Sequence, residues 1–372
     1  MRAGRRNEWL DLCRAFAISL VLLGHGRLFV RDALPWADYL RFGGFIGVEL
    51  FFVLSGFLIG GILVRLAKQG GAHWLGGFYA RRWFRTLPNY YLFLLVNLLL
   101  VWAGFYAGDL GEFWKYLIFV QNLASPVPRF FSESWSLAQE EVFYLLFPAA
   151  FLMVSRLFRW PHLRSIAVVA LAVIVASLVA RVLAAGAITD WDGGIRRVVL
   201  LRLDSLMFGV LLAWIAAQRP AWLRRRGVVA AALASFVACV LYAGFVKDMN
   251  HSFFAKTIYF DLTSIGCAGV LLAGIERAFP PWLVRPGAYL ARISYSVYLA
   301  HIPVMFTLVH FFGCCSRAPG PALAMWAAFL VLTVLVAHVV HHAWETPFNR
   351  LRDRLFPAAV PAVAHEGNAR HG

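Results

Sequence analysis

Residues 10–29 read LDLCRAFAISLVLLGHGRLF, an apolar run of membrane length that nevertheless contains Arg14 and His25. Ionisable groups at membrane depth cost a few kcal/mol or more, and they usually face a protein interior where they do chemistry. Eleven residues at about 100° each come to about 1100°, so the two side chains share nearly one helix face, roughly 16 Å apart along the axis. One face of one helix thus carries a cation towards one end and a base towards the other.

Composition supports the membrane reading of that stretch. Of the 372 residues, 61% are hydrophobic and 15% charged, with a mean hydropathy of +0.69. Soluble domains are less apolar and more highly charged, so the chain reads as an all-α, polytopic transmembrane bundle. The formal charge of +16 does not indicate nucleic acid. The arginines lie between apolar runs, as the positive-inside rule requires, and no soluble basic face is evident.

Ten spans are expected, at about 10–29, 43–64, 87–106, 137–156, 165–186, 197–217, 227–246, 257–275, 289–311 and 322–344. Arg2, Arg5 and Arg6 precede the first; Arg65, Lys68, Arg81, Arg82 and Arg85 follow the second. Further arginines follow the fourth, sixth, eighth and tenth spans, whereas the alternate loops are poorer in Lys and Arg and hold Asp32, Asp38, Asp109, Glu112, Asp190 and Asp192. That bias places both termini in the cytoplasm, with Arg14 near the inner side and His25 near the outer side. The membrane domain is expected to occupy residues 1–356, with 357–372 a disordered tail. In the long outer loop 107–136, Trp114, Tyr116 and Phe119 suggest a helix in the interface.

Several residues beyond the first span invite chemistry. Glu49 begins an apolar segment, GVELFFVLSGFLIGG (47–61), in which Ser55-Gly56 and Gly60-Gly61 permit close approach of a helix or ligand. Arg82 and Arg85, three apart, can project from one helix side and clamp phosphate oxygens; the plainer reading is that they set topology. In SESWSLAQEEVFYLLFP (132–148), Ser134 or Ser136 is placed to cap a helix, and one of Glu140 and Glu141 can face the interior that holds His25. Arg202 and Asp204 read as a local structural pair, and His301 as a satisfied core histidine. His338 and His342 are four apart, but no H-E-x-x-H pattern accompanies them and no metal site is expected. Of the five cysteines, the adjacent Cys314 and Cys315 are expected to be unpaired thiols.

The ordered set of these motifs resembles the integral-membrane acyltransferase family 3, which includes bacterial O-acetyltransferases of polysaccharides and O-antigens. The resemblance runs from Asp11 to about Leu355. It is carried by the Arg14–His25 segment, GVELFFVLSGFLI, the Arg82/Arg85 pair, SWSLAQEEVFYLLFP, LRLDSLMFG (201–209) and ISYSVYLAHIP (293–303). Departures at Leu12-Cys13, Ala138-Gln139 and Ala300 touch no charged motif residue. The resemblance implies acetyl-CoA as acyl donor and an exopolysaccharide, O-antigen or lipid-linked glycan as acceptor, at a bacterial inner membrane. It implies His25, Arg14 and the Arg82/Arg85 pair as essential, and Glu141 as the better candidate of its pair. Arg82, Arg85, Arg14 and Ser55 would hold the donor. His25 would act as general base, with Glu141 or Glu49 orienting it; an acetyl-histidine route stays open. Polysaccharide-assembly proteins and a second copy of the chain are candidate partners. Some relatives carry a C-terminal hydrolase-like domain, so transfer is expected to be completed by the membrane domain or with a separate partner. The competing account is a transporter or flippase using Arg14, His25, Glu49 and Glu141 as an ion relay.

Overall fold

The computed structural model describes residues 7–69, 73–223, 225–246 and 248–357. Arg2, Arg5, Arg6 and nearly all of the expected tail lie outside those residues. Ten principal helices follow: α1 (Glu8–Gly26), α2 (Gly43–Gln69), α3 (Trp74–Trp102), α4 (Ser134–Phe158), α5 (His162–Ala184), α6 (Asp204–Gln218), α7 (Arg226–Phe245), α8 (Ile258–Ala273), α9 (Pro281–Phe312) and α10 (Pro319–Val340). A π turn, His341–Glu345, leads into a shorter α11 (Thr346–Leu355). Eight helical segments are long and apolar enough to cross a membrane, while α6 and α8 are shorter apolar helices. The chain is a multi-pass membrane protein of the all-α class, with no strand among the described residues.

Local chemistry fixes the boundaries. Asn7 accepts from the Leu10 amide (3.2 Å) to cap α1, with Glu8 and Asp11 in the first turn, where acids suit the helix dipole. Pro281 and Pro319 open α9 and α10, positions where proline sacrifices no helical hydrogen bond. Some expectations shift. The third helix begins at Trp74 rather than residue 87 and carries Pro88 inside it. The sixth begins only at Asp204, after a short 3₁₀ turn at Val199–Leu201, because Arg202 and Asp204 are drawn into the core. Neither serine caps α4: Ser134 Oγ donates to the Phe131 carbonyl (2.6 Å), and Ser136 Oγ turns inward. In the outer loop only Phe113–Leu117 is helical; Tyr116 is buried while Trp114 is exposed. Cys314 and Cys315 are disulfide-bonded, not free: Cys315 lies in the left-handed region (φ 67°), and this turn brings the two sulfurs together.

The bundle is organised around α2, 61% of whose apolar window is buried, against 17% for peripheral α7. It packs most closely on α6. A Cβ on Gly56 would lie 2.0 Å from the Leu206 carbonyl oxygen, and one on Gly209 would lie 2.1 Å from that of Val53, so the two backbones touch there. Outward faces carry exposed Leu99, Leu146, Met153, Leu171, Val175, Leu335 and Val339, as a lipid solvent allows.

Charge, by contrast, is locked inside. Glu49 accepts from Arg202 Nη2 (2.7 Å) and Ser205 Oγ (2.7 Å); Arg202 Nε also reaches Asp204 (3.4 Å). Arg181 pairs with the same Asp204 and with Asp261 (2.6 Å). The pair expected to be local is therefore part of a network joining α2, α5, α6 and α8. At the other flank, Glu345 accepts from Ser296 (2.8 Å) and Asn89 (3.3 Å) and meets His341 (3.0 Å), tying the end of α10 to α3 and α9. α1 is anchored just beyond the end of α8, and α11 is anchored to the early part of α3. Asn7 donates to the Ile275 carbonyl (3.0 Å) and Arg81 pairs with Asp353 (3.1 Å).

Candidate active site

Two cavities adjoin inside the bundle and share part of their walls. The inner one, at the end that the loop arginines assign to the cytoplasm, is lined by Arg14, Ser55, Arg82, Arg85, Thr86, Glu140 and Tyr144. The outer one is lined by His25, Glu133, Trp135, Asp192, Arg196, Arg197 and His301. Val48 and Tyr298 line both. The outer cavity, about 440 Å³, falls in the range of ligand sites, whereas the inner one is a slot of about 120 Å³.

The inner slot collects four side chains that the sequence marked for donor binding. α1 brings Arg14, whose Nη1 lies 3.1 Å from buried Asp11. α2 brings Ser55, and the first turns of α3 bring Arg82 and Arg85. Neither Arg82 nor Arg85 is ion-paired or hydrogen-bonded through its guanidinium among the described residues. Two such groups three residues apart suit an anion with several oxygens. The adjacent acids separate as helix geometry requires. Glu140 lines the slot and accepts from Ser55 Oγ (3.0 Å) and Tyr144 OH (2.8 Å). Glu141 turns to Thr86 Oγ1 (2.6 Å) instead.

Tyr298 stands in the shared wall. Its hydroxyl donates to the Glu133 carbonyl (3.1 Å) and lies 2.6 Å from Ser136 Oγ. Beyond it, the His25 ring stands 4.9 Å, centroid to centroid, from that of His301. His301 is 1% exposed, with Nδ1 against the Tyr298 carbonyl. Its Nε2 has no hydrogen-bond partner among the described residues, so it is not the satisfied core histidine that the sequence suggested. Glu133 was not singled out in the sequence. It is 4% exposed and neither carboxyl oxygen has a partner among the described residues; Asn97 close by donates to the Phe93 carbonyl instead (2.8 Å). Burial pushes the Glu133 carboxyl up to about 8, so it is mostly protonated at neutral pH. Asp192, Arg196 and Arg197 come from a π turn (Trp191–Arg196) that folds over the outer cavity.

The structure does not join all the expected partners. No hydrogen bond links His25 to Glu141 or Glu49: the former serves Thr86 and the latter Arg202 and Ser205. His25 and Glu49 thus fall in separate clusters, while Arg14 and Glu141 both adjoin the inner slot, Glu141 through Thr86.

A family model described as an acyltransferase domain, Acyl_transf_3, matches residues 7–342. The chain belongs to this family of membrane acyltransferases. It is 27% identical over 385 residues to "Putative peptidoglycan O-acetyltransferase YrhL" of Bacillus subtilis, covering 94% of this chain and 56% of that protein. It is 25% identical over 385 residues to the peptidoglycan O-acetyltransferase OatA of Listeria monocytogenes, covering 92% and 55%. The chain therefore spans somewhat more than half the length of these curated relatives. No solved structure matches it.

Proposed function

We propose that this protein is a bacterial inner-membrane O-acetyltransferase, taking acetyl groups from cytoplasmic acetyl-CoA and placing them on hydroxyls of a cell-surface glycan. One observation carries the reading. The unpaired Arg82 and Arg85 face a cytoplasmic slot whose far wall, Val48 and Tyr298, is also the wall of the cavity holding His25. A donor whose phosphates rest on the arginines would extend its thin arm along the slot. The roughly 16 Å rise from Arg14 to His25 is about the scale of such an arm. The relatives' names place acetyl groups on peptidoglycan, which supports a glycan acceptor here.

The donor supplies an activated thioester carbon. The residues of the chain do the rest. A His25 ring nitrogen accepts the proton of the acceptor hydroxyl as its oxygen bonds to that carbon. The C–S bond breaks, and the proton passes to the departing thiolate. Positioned base catalysis of this kind is typically worth ~10²–10⁴-fold. His301 Nε2 and the Glu133 carboxyl, both buried and without a hydrogen-bond partner among the described residues, are placed to hydrogen-bond acceptor hydroxyls.

The test uses purified full-length protein with radiolabelled acetyl-CoA and glycan fragments. Label should reach the glycan with wild-type protein and fall by a factor of at least ~10² with His25→Ala. Undiminished transfer by that variant would remove His25 from the chemistry. Absence of any acceptor-dependent transfer by folded wild-type protein would overturn the reading as a whole.

A further inference from the structure

Positive charge is distributed unexpectedly at the outer cavity. Loop arginines gather at the cytoplasmic end, as the positive-inside bias explains. Yet Arg27, Arg41, Arg196 and Arg197, contributed by two outer segments far apart in sequence, all line the cavity at the opposite end. Topology gives no reason for them to be there, so their convergence needs another cause.

The acidic side chains around the cavity do not balance them. Asp192 serves both Arg196 and Arg197. Burial raises its pKa, but the two guanidiniums outweigh that effect and bring it down to about 2, leaving one carboxylate for two cations. Asp248 is engaged within its own loop by the Asn250 amide (2.8 Å) and His251. Glu133 is mostly uncharged at neutral pH. Arg27 pairs with Asp38 (2.8 Å) at the rim. Arg41 donates to the Val246 carbonyl (3.1 Å) and meets no described carboxylate. The deepest of the four, Arg196, is only 8% exposed and is held between the faces of Phe45 (5.4 Å) and Trp135 (4.8 Å). Nε of Arg196 and of Arg197 is buried without a hydrogen-bond partner among the described residues. Guanidiniums fixed at a cavity wall with donors left over are costly unless a ligand completes them.

We propose that the outer cavity grips its acceptor through an anionic group, a carboxylate or phosphate carried near the hydroxyl that receives the acyl group. This rests on the reading of that cavity as the acceptor site. The anion takes the free donors of Arg41, Arg196 and Arg197, and this places a neighbouring hydroxyl beside His25. Two sources share the chemistry: an acidic sugar residue of the glycan, or the pyrophosphate of a lipid-linked glycan.

Equilibrium binding separates these cases without any acyl donor. Full-length protein in phosphatidylcholine nanodiscs is titrated with trigalacturonate, with its neutral trimethyl ester and with a short prenyl-pyrophosphoryl disaccharide. At least one anionic probe should bind about tenfold or more tighter than the ester, and its affinity should fall steeply as salt rises from about 0.05 to about 0.5 M. Preference for trigalacturonate assigns the anion to the glycan; preference for the pyrophosphoryl probe assigns it to the lipid carrier. Arg41→Gln and Arg197→Gln should each weaken the anionic probe severalfold without changing ester binding. Thermal melting checks that the variants fold, and the salt dependence of wild-type protein stands even if they do not. Equal binding of ester and anions, no binding of either anion, or affinity indifferent to salt would overturn the proposal. Acetyl transfer is then measured on the same probes. Charge-selective binding without transfer to any probe would count against the O-acetyltransferase reading alone. Equal binding accompanied by transfer to the ester would count against the anionic site alone.

Discussion

Replacing Glu133 by glutamine should make the protein more resistant to alkaline pH. The side chain is buried at the outer end of α4 with neither oxygen partnered among the described residues, and burial moves its pKa from 4.5 to about 8. Below about pH 4.5 folded and unfolded chains both hold the proton, and no pH-linked cost arises. As pH rises towards 8 the unfolded chain releases the proton while the folded one keeps it, so stability falls. Above about 8 both forms are ionised and the loss is complete. At about 1.4 kcal/mol per pH unit, the whole window is worth at most about 5 kcal/mol, about 3 of which has accrued by pH 7. Glutamine preserves the shape and removes the titration. Tryptophan-fluorescence melting in one detergent, from about pH 5 to about pH 9, should show the variant gaining on wild type by several degrees as pH rises. Parallel melting curves would refute the reasoning. They would mean that Glu133 is solvated or paired in the folded protein.

Three further outcomes follow from the packing and the two cavities. Arg82→Ala and Arg85→Ala should raise KM for acetyl-CoA by about tenfold or more while changing kcat less, in steady-state kinetics, because each removes a charge-assisted contact to the donor. Glu49→Ala removes the closer of the two carboxylates that Arg202 meets, leaving it only Asp204 at 3.4 Å, a loss of up to about 3 kcal/mol; folded yield by size-exclusion chromatography should drop, whereas an intact fold with lost catalysis would give Glu49 a chemical role. Gly56→Ala, whose Cβ would meet the Leu206 carbonyl at 2.0 Å, should likewise lower folded yield, and an unchanged melting temperature would show that α2 and α6 separate readily.

The sequence was most legible where a physical rule acts on one segment at a time. Hydropathy found an apolar helix at each of the ten expected positions, because each must be apolar over its own length. Only eight described segments are long enough to span, however, and the third and sixth begin elsewhere. Arg14 and His25 share a face and a spacing that follow from helix geometry alone. Arg82 and Arg85 do as well, and they meet Arg14 and Ser55 in one slot. What escaped were partners distant in the chain. Glu49 was an acid without a visible counter-ion, because Arg202 lies 153 residues away. His301 read as filler because nothing in its span shows that His25 stands opposite. Glu133, Arg196 and Arg197 were not singled out, and Asp192 passed for an ordinary loop charge. Only the folding of the π turn over the outer cavity reveals that Asp192, Arg196 and Arg197 face His25. The shift of the third helix start to Trp74 has a local cause, since Pro88 sits inside a helix that carries on through it.

The buried network around Glu49 bears on how the protein is made. Glu49 enters the membrane with α2, but Arg202 is synthesised 153 residues later. At about 5–20 residues per second that is a wait of roughly 8–30 s. During this interval the carboxyl must be protonated, shielded by the insertion machinery, or kept at the water-filled edge. Arg181 faces a shorter wait, 23 residues before Asp204 and 80 before Asp261. Helices α2 and α5 therefore cannot settle in lipid one by one; their final burial awaits the entry of α6 and α8. The network can be complete only when the second half of the chain has delivered the counter-ions of the first.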